Sequence, residues 1–429
     1  MVAVAACLSV FTIHYSPFTT MPGKKSSPLF IIFLTVFIDM VGFGIIIPVL
    51  PLYAEHFQAS PIAIGWLTGI YSGMQIIFTP ILGRLSDRFG RRPILLISLA
   101  GTSVGFAVMG LANSLPLLFV ARIIDGATGG NISTAQAYIA DVSTPENRSR
   151  SMGLIGAAFG LGFTFGPMIG GIMSRISYGA PFYFAAALAA CNVLLLYFFL
   201  PESLSSEHRS QLHENARISE VFHHGHGWMF AVVVATSFFA ITGFAIMTTL
   251  FALFTEKRFG YDAHQNGYLF GFIGILSVIM QGGLIGRLIT KFGETMLART
   301  GLVILTASMI ALPLSDRLTS LLIVCAGLAI ANGLTSPTLT GLASQMIDRG
   351  WQGRALGLMQ SVGGLSRLIG PLIAGWFLMA DLGKPLTQYG RTPFWTSAAI
   401  LLLGLFVSFY FQKPVADQLP RRMPVEADV

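Results

Sequence analysis

Four charged side chains stand where charge is costly: Asp39, Arg122, Asp125 and Arg367 all lie inside long apolar runs. A charge at the middle of a bilayer costs about 2.5–3.5 kcal/mol even on insertion scales. Each must therefore face another charge or a wet cavity. Arg122 and Asp125 are three residues apart, which puts them on one helix face. A carboxylate beside an arginine in such a setting can take up and release a proton as its access to water changes. A fixed ion pair with no part in transport is the other reading.

Other chemistry is hard to find in the chain. There is no constellation of nucleophile, base and acid, so an enzyme is not expected. No glycine loop carries the lysine that would cradle a nucleotide, so no cofactor is expected and a proton gradient is the energy source to look for. His208, His213, His223, His224 and His226 sit close together but lack paired cysteines or a regular spacing with carboxylates. They read as a solvated linker rather than a zinc site, and no metal is expected. Cys7, Cys191 and Cys325 are too scattered for a disulfide framework, and the last two read as small buried apolar residues.

The elements that hold these residues are membrane helices. The chain is 54% hydrophobic and only 10% charged, against about 25% charged in soluble proteins. Only helices and closed barrels satisfy the backbone in lipid. The apolar runs last about 20 residues, the length of a helix across roughly 30 Å of hydrocarbon, not the alternating runs of about 10 typical of barrel strands. Spans are expected at 29–50, 62–82, 93–112, 116–138, 151–172, 181–200, 228–253, 265–285, 296–314, 318–340, 355–378 and 393–411. The expected fold is thus an all-α membrane protein of twelve transmembrane helices in two pseudo-symmetric six-helix bundles. The bundles cover 28–200 and 228–412, joined by a polar linker over 201–227 and flanked by tails at 1–27 and 413–429.

Basic residues favour cytoplasmic loops. With the N-terminus inside, eighteen of the 26 Lys and Arg fall in inside segments and six in outside ones. Both termini are therefore expected in the cytoplasm. The net charge of +7 follows this topology, so nucleic acid is not an expected partner.

The halves repeat. Gly83-Arg84-Leu85-Ser86-Asp87-Arg88-Phe89-Gly90 recurs as Gly286-Arg287-Leu288-Ile289-Thr290-Lys291-Phe292-Gly293, at an offset of 203 residues. Gly166-Pro167 with Gly171 recurs as Gly370-Pro371 with Gly375, at an offset of 204. Repeated six-helix halves are a transporter plan, with the substrate site between them near mid-membrane.

The stretch from Gly83 through Arg91, Arg92 and Pro93 resembles the loop 2–3 signature of the major facilitator superfamily. Gly162-Phe163-Thr164-Phe165-Gly166-Pro167-Met168-Ile169-Gly170-Gly171 resembles its helix 5 antiporter signature. Arg122-Ile123-Ile124-Asp125-Gly126 is similar to its helix 4 arginine motif, and Asp39 through Pro51 resembles helix 1 of proton-driven exporters of the tetracycline-resistance type. The resemblance covers nearly all of 28–412. It implies a proton-coupled antiporter that exports small amphipathic or hydrophobic compounds by alternating access, as a monomer in the bacterial inner membrane. The abundant Phe and Met suit flexible recognition of such compounds.

The resemblance also implies roles. Asp39 is the expected proton-responsive carboxylate, with Arg122 tuning it and Asp125 pairing or relaying, because helices 1 and 4 line the cavity in this family. Gly83, Asp87, Arg88, Gly90, Arg91 and Arg92, with Arg84, are expected to form a gate latch; plain charge anchoring is the alternative. Asp141 is expected to pair with loop arginines. Gly162, Gly166, Pro167, Gly170 and Gly171 are expected to pack helix 5 tightly, as bare packing or as a flexible seal between the halves. Gln75, Asn131, Gln136, Gln281, Asn332 and Gln360 are candidate polar points of the cavity. Arg367 has no counterpart in the first half and is expected to meet an anionic substrate group or a helix end.

Two other functions fit the pattern less well: a proton symporter for a metabolite or lipid-like substrate, and a receptor that transports nothing. Residues 1–20 are apolar without a basic start or a small-residue cleavage pattern, whereas Met21 opens a short basic lead. They are expected to be an over-extended start or an unstructured tail. Mass spectrometry of the mature N-terminus tests the first: a native chain beginning near Met21 is the expected result, and an intact Met1 chain would refute it.

Overall fold

In a computed structural model, residues 28–143, 147–204, 227–347 and 351–411 are described. The tails and most of the linker, including its five histidines, lie outside them. Helices follow the apolar runs: α1 Pro28–His56, α2 Pro61–Phe89, α3 Arg91–Gly110, α5 Arg148–Ser174, α6 Ala180–Phe199, α7 Gly227–Phe259, α8 Ala263–Phe292, α9 Glu294–Ala311, α10 Leu318–Gln345, α11 Gln352–Met379 and α12 Arg391–Ser408. Eleven described helices are long and apolar enough to span a membrane. Between α3 and α5 lies α4, in two pieces, Leu115–Thr128 and Asn131–Val142. Counted as one crossing, it makes the pattern fit the expected twelve.

The break in α4 corrects the single span expected over 116–138. Gly129 and Gly130 interrupt it, and each glycine lowers helix stability by about 1 kcal/mol relative to Ala. Their neighbours leave little room for side chains: a Cβ on Gly130 would lie 2.6 Å from Leu82, and one on Gly129 would lie 3.2 Å from the Asp125 carbonyl and from the Tyr71 hydroxyl. In the second half, α10 runs on without a break.

Elsewhere the halves match. The end where α1 starts is the near end, and the opposite one is the far end. At the far end Ser60 caps α2 by accepting from the Ala63 amide at 3.3 Å, while Asp262 caps α8 in a capping box with Gln265. At the near end the repeated motif ends α2 and α8 on Gly90 (φ 109°) and Gly293 (φ 78°). Only glycine adopts that region without strain, so the last glycine of each repeat has a backbone reason.

Some buried polar side chains are tied across helices, others to carbonyls of their own helix. Thr35 of α1 donates to Asn192 of α6 at 3.2 Å. Ser397 of α12 donates to the Gly243 carbonyl of α7 at 2.9 Å. Cys325 is buried, but Cys191 is exposed on α6, contrary to the sequence reading. Its position on the outer surface of an apolar helix needs no polar partner.

The two bundles meet along two seams, α2 against α11 and α5 against α8. A Cβ on Gly171 would come within 2.9 Å of the Ala263 carbonyl and of Gly267 Cα. Further along, one on Gly274 would meet Thr164 at 2.7 Å, and one on Gly160 would meet only Val278, at 3.6 Å. Gly156, Gly153 and Gly282 have nothing within 4 Å. The other seam does the same: Gly69 faces the Leu368 carbonyl at 2.9 Å, whereas Gly83 and Gly357 face open space. Both seams are closed at the far end and splay toward the near end. A π-helical turn, Met280–Leu284, lies on α8 where the splay widens. At the sealed far end Lys257 of α7 pairs with Glu55 of α1 at 2.7 Å, bridging the halves.

Gly171→Val should force the far-end seam apart. Overpacking of this kind costs about 1–3 kcal/mol, so a lower unfolding temperature in detergent is expected, together with faster labelling of a cysteine placed at position 264. Unchanged labelling would mean that the seam does not seal the far end.

Candidate functional site

The centre of the first bundle collects charge from α1, α2 and α4. Arg122 is 2% exposed and Asp125 4%. The Arg122 Nη1 donates to Asp125 Oδ2 at 3.1 Å, as the three-residue spacing requires, and its Nε donates to the Leu67 carbonyl at 3.4 Å. Its guanidinium lies 4.4 Å from the ring centre of Tyr71, a cation–π contact strengthened by the lack of water. Thr102 of α3 reaches the Asp125 carboxylate. Tyr71 was not singled out in the sequence, although it stands four residues before Gln75, on the same face of α2.

Asp39 sits half-buried on α1, beside this pair and not in it. Asn131, the first residue after the break in α4, lies near enough to act on its carboxylate, and Asp125 acts on it electrostatically. Arg122 therefore pairs with Asp125 rather than with Asp39. The break matters here. Gln75 donates to the Gly129 carbonyl at 2.8 Å and to the Tyr71 hydroxyl at 3.4 Å. It occupies a carbonyl that the broken helix leaves free.

Arg367 on α11 approaches the same centre from the second bundle. It is half-buried and interacts electrostatically with Tyr71. Its Nη1 lies 3.3 Å from where a Cβ on Gly363 would be. The aromatic rings of Tyr71, Phe43 and Phe163 follow one another at 5.8 and 5.6 Å. Gln281 and Gln360 are exposed on the parted stretches of α8 and α11, while Asn332 and Gln136 are half-buried on α10 and α4.

The near-end charges form a second cluster. Arg91 bonds Asp87, donates to Ser86 at 2.8 Å and donates to Asp141 at 3.2 Å. Glu202, just after α6, accepts from the backbone amides of Arg91 and Arg92 at 2.9 and 3.2 Å. A carboxylate on the first amides of α3 is favoured by the helix dipole. Glu202 had been read only as part of the polar linker. The Arg92 side chain bonds the Tyr197 carbonyl. Arg88 lies over the Phe89 ring at 5.3 Å, and Arg84 is exposed. Among the described residues the cluster ties α2, α3, α4 and α6 of one bundle together.

The helix 5 glycines divide between two partners. Gly162, Gly166 and Gly170 face Met40, Gly44 and Ile45 of α1 within the same bundle. Gly171 and the Pro167 carbonyl meet Gly267 of α8, across the halves. Both expected modes of packing therefore occur along one helix: residues four apart share the face toward α1, and Gly171, one step off it, meets the other half. A separate cleft of about 860 Å³ opens at the near end of α9, α10 and α12, beside Glu294 and Arg299, away from the charged centre.

Two six-helix repeats around a splayed centre that holds four charges define a membrane transporter rather than an enzyme. The Major Facilitator Superfamily family model matches residues 32–371, and the chain belongs to that superfamily. It is similar to the tetracycline resistance protein, class C, of Escherichia coli, 34% identical over 82% of this chain and 89% of that one. It is also similar to multidrug resistance protein 2 of Bacillus subtilis (strain 168), 30% identical over 92% and 98%. Among solved structures, the human organic anion transporter MFSD10 (TETRAN) matches at TM-score 0.68 and 24% identity, over 89% of this chain and 98% of that one. A bacterial homolog of the human lysosomal transporter Spinster, inward-facing and occupied, matches at TM-score 0.73 and 16% identity, over 90% and 97%. These two likenesses bear on the fold.

Removing one partner of a buried pair strands the other charge and costs about 3–5 kcal/mol. Asp125→Asn and Arg122→Gln are each expected to lower the unfolding temperature sharply, and the double variant to recover much of the loss. Additive losses would show that the two do not stabilise each other.

Proposed function

We propose that the chain exports small amphipathic or hydrophobic compounds in exchange for protons, by alternating access about the charged centre. The observation that carries this is the placement of Asp39. It is a half-buried carboxylate with no ion pair among the described residues, at a centre shut off at the far end and open at the near end. The bias of Lys and Arg favours a cytoplasmic near end, and in this reading the open side is the loading side for export. The names of the tetracycline and multidrug resistance relatives support drug export, and a bacterial inner membrane suits it.

In this reading Arg122 and Asp125 hold each other through the cycle, and Asp39 exchanges its proton for the compound. The near-end cluster keeps the turn from α2 to α3 rigid while the bundle rocks. The open space beside Gly83 and Gly357 is filled when the near end closes and α2 approaches α11. The far-end seams and the Glu55–Lys257 pair then part to release the compound outside. Symport of a metabolite would use the same fold, but the resistance relatives favour export.

The test uses inside-out vesicles held acidic inside, challenged with a drug panel that includes tetracycline. A substrate should make the lumen alkaline as it enters. Asp39→Asn should abolish that signal, at least tenfold, while the variant remains folded. Full proton flux in Asp39→Asn would end the assignment of Asp39, and silence across the panel in a folded protein would count against export.

A further inference from the structure

The second half keeps the backbone of the near-end turn but not its charges. Gly90 and Gly293 end the two copies with a positive φ. At the repeat offset of 203, Asp87 and Arg91 correspond to Thr290 and Glu294, and at the offset of 204 Asp141 corresponds to Gln345. In the first half Arg91 bonds both Asp87 and Asp141. In the second a carboxylate stands in place of that arginine, and no cation stands in place of its partners. Glu294 accordingly makes no ion pair among the described residues, and its Oε2 is buried there without a hydrogen-bond partner. The carboxylate lies against Gly341 of α10, where a Cβ would come within 2.5 Å of Oε1.

Glu294 and Gln345 line the near-end cleft of about 860 Å³. Its polarity is graded with depth. Glu294 is the first residue of α9. Arg299 lines the cleft five residues on, about 7.5 Å deeper at the rise of an α-helix. Its Nε and Nη2 hold the end of α12, donating to the Ser408 carbonyl at 3.3 and 2.9 Å, with Nη2 also donating to the Phe411 carbonyl at 3.3 Å. Its Nη1 has no hydrogen bond among the described residues. Val303 and Ile304 form the wall a turn further in. The helix α9 packs on α10 and α12 of its own bundle, and Val303 and Phe409 are 50% and 63% exposed. The cleft therefore opens on the flank that faces lipid.

From the membrane surface inward the order is carboxylate, guanidinium, hydrocarbon. An ethanolamine phospholipid in the near-end leaflet presents ammonium, phosphate and acyl chain in that same order. A carboxylate oxygen without a donor calls for an N–H group, and a primary ammonium carries three. A choline head group carries none, and a glycerol head group brings no positive charge. We propose that this cleft binds a phospholipid with a primary amine head group. Glu294 takes the ammonium, Arg299 takes the phosphate through Nη1, and the groove along Val303 takes an acyl chain. The site is separate from the charged centre and needs neither proton exchange nor export.

Native mass spectrometry of the purified full chain tests this, with dioleoyl phosphatidylethanolamine, phosphatidylcholine and phosphatidylglycerol added in turn. The ethanolamine lipid should be retained about tenfold more tightly than the other two, the weight of one charged hydrogen bond. Glu294→Gln should bring it down to the level of the choline lipid and leave that lipid unchanged. Val303→Trp fills the groove away from both charges and should remove the retained lipid. Val104→Trp, on the exposed face of α3, should keep it. A photoreactive phenylalanine in place of Val303 should cross-link to lipid. Equal retention of the ethanolamine and choline lipids would overturn the site, as would tightest retention of the glycerol lipid. Equal loss of all three lipids in Glu294→Gln would show a structural role and overturn it too. So would retention unchanged in Val303→Trp, or a cross-link from position 303 to residues 412–429, which would make the chain's own tail the occupant.

Discussion

Hydrocarbon offers no hydrogen bonds, and the rest of this structure answers that one condition. It forces the backbone into helices. It makes Thr35 find Asn192 and Ser397 find a carbonyl of α7. It also explains why Arg122 has a carboxylate, a carbonyl and an aromatic face around one guanidinium. Where the backbone itself breaks, at Gly129, a side chain moves in: Gln75 takes the freed carbonyl. The break also lies beside the site, because Asn131, where the helix restarts, acts on Asp39.

Movement requires contacts that hold without interlocking. Between helices in lipid, small residues give close packing and no large side chain to unhook. The seams here follow that rule at the far end, where Gly171 meets Gly267, and abandon it toward the near end, where the glycines face space. A seam of backbone against backbone can open by rotation about its length. The α1–α5 contact through Gly162, Gly166 and Gly170 has the same character but lies inside one bundle, so it makes that bundle a unit. Rigid within and loose between is the mechanical requirement for two halves that rock.

Much of this was legible in the chain. The spans were fixed by runs of apolar residues, the two halves by Gly83 recurring at Gly286, and the Arg122–Asp125 pair by three-residue spacing. Asp141 also met an arginine of the α2–α3 turn. What escaped depended on partners distant in sequence. Tyr71 looks like any aromatic residue of an apolar helix until Arg122 lies on its face. Glu202 looks like a solvated linker residue until the start of α3 reaches it. The break in α4 was hidden because its two glycines sit inside a run otherwise apolar enough to span. The helix 5 signature showed close packing, but which of its glycines face α1 and which face α8 depends on the fold.

The arrangement of charges also separates structure from exchange. A transporter that moved its only ion pair would lose several kcal/mol of buried electrostatics each time it turned over. Here Arg122 and Asp125 are locked within one helix, three residues apart, and no rocking of the bundles can part them. Asp39 belongs to the first bundle and Arg367 to the second, so under the alternating access proposed above their separation would change as the halves rotate, while the Arg122–Asp125 pair would not.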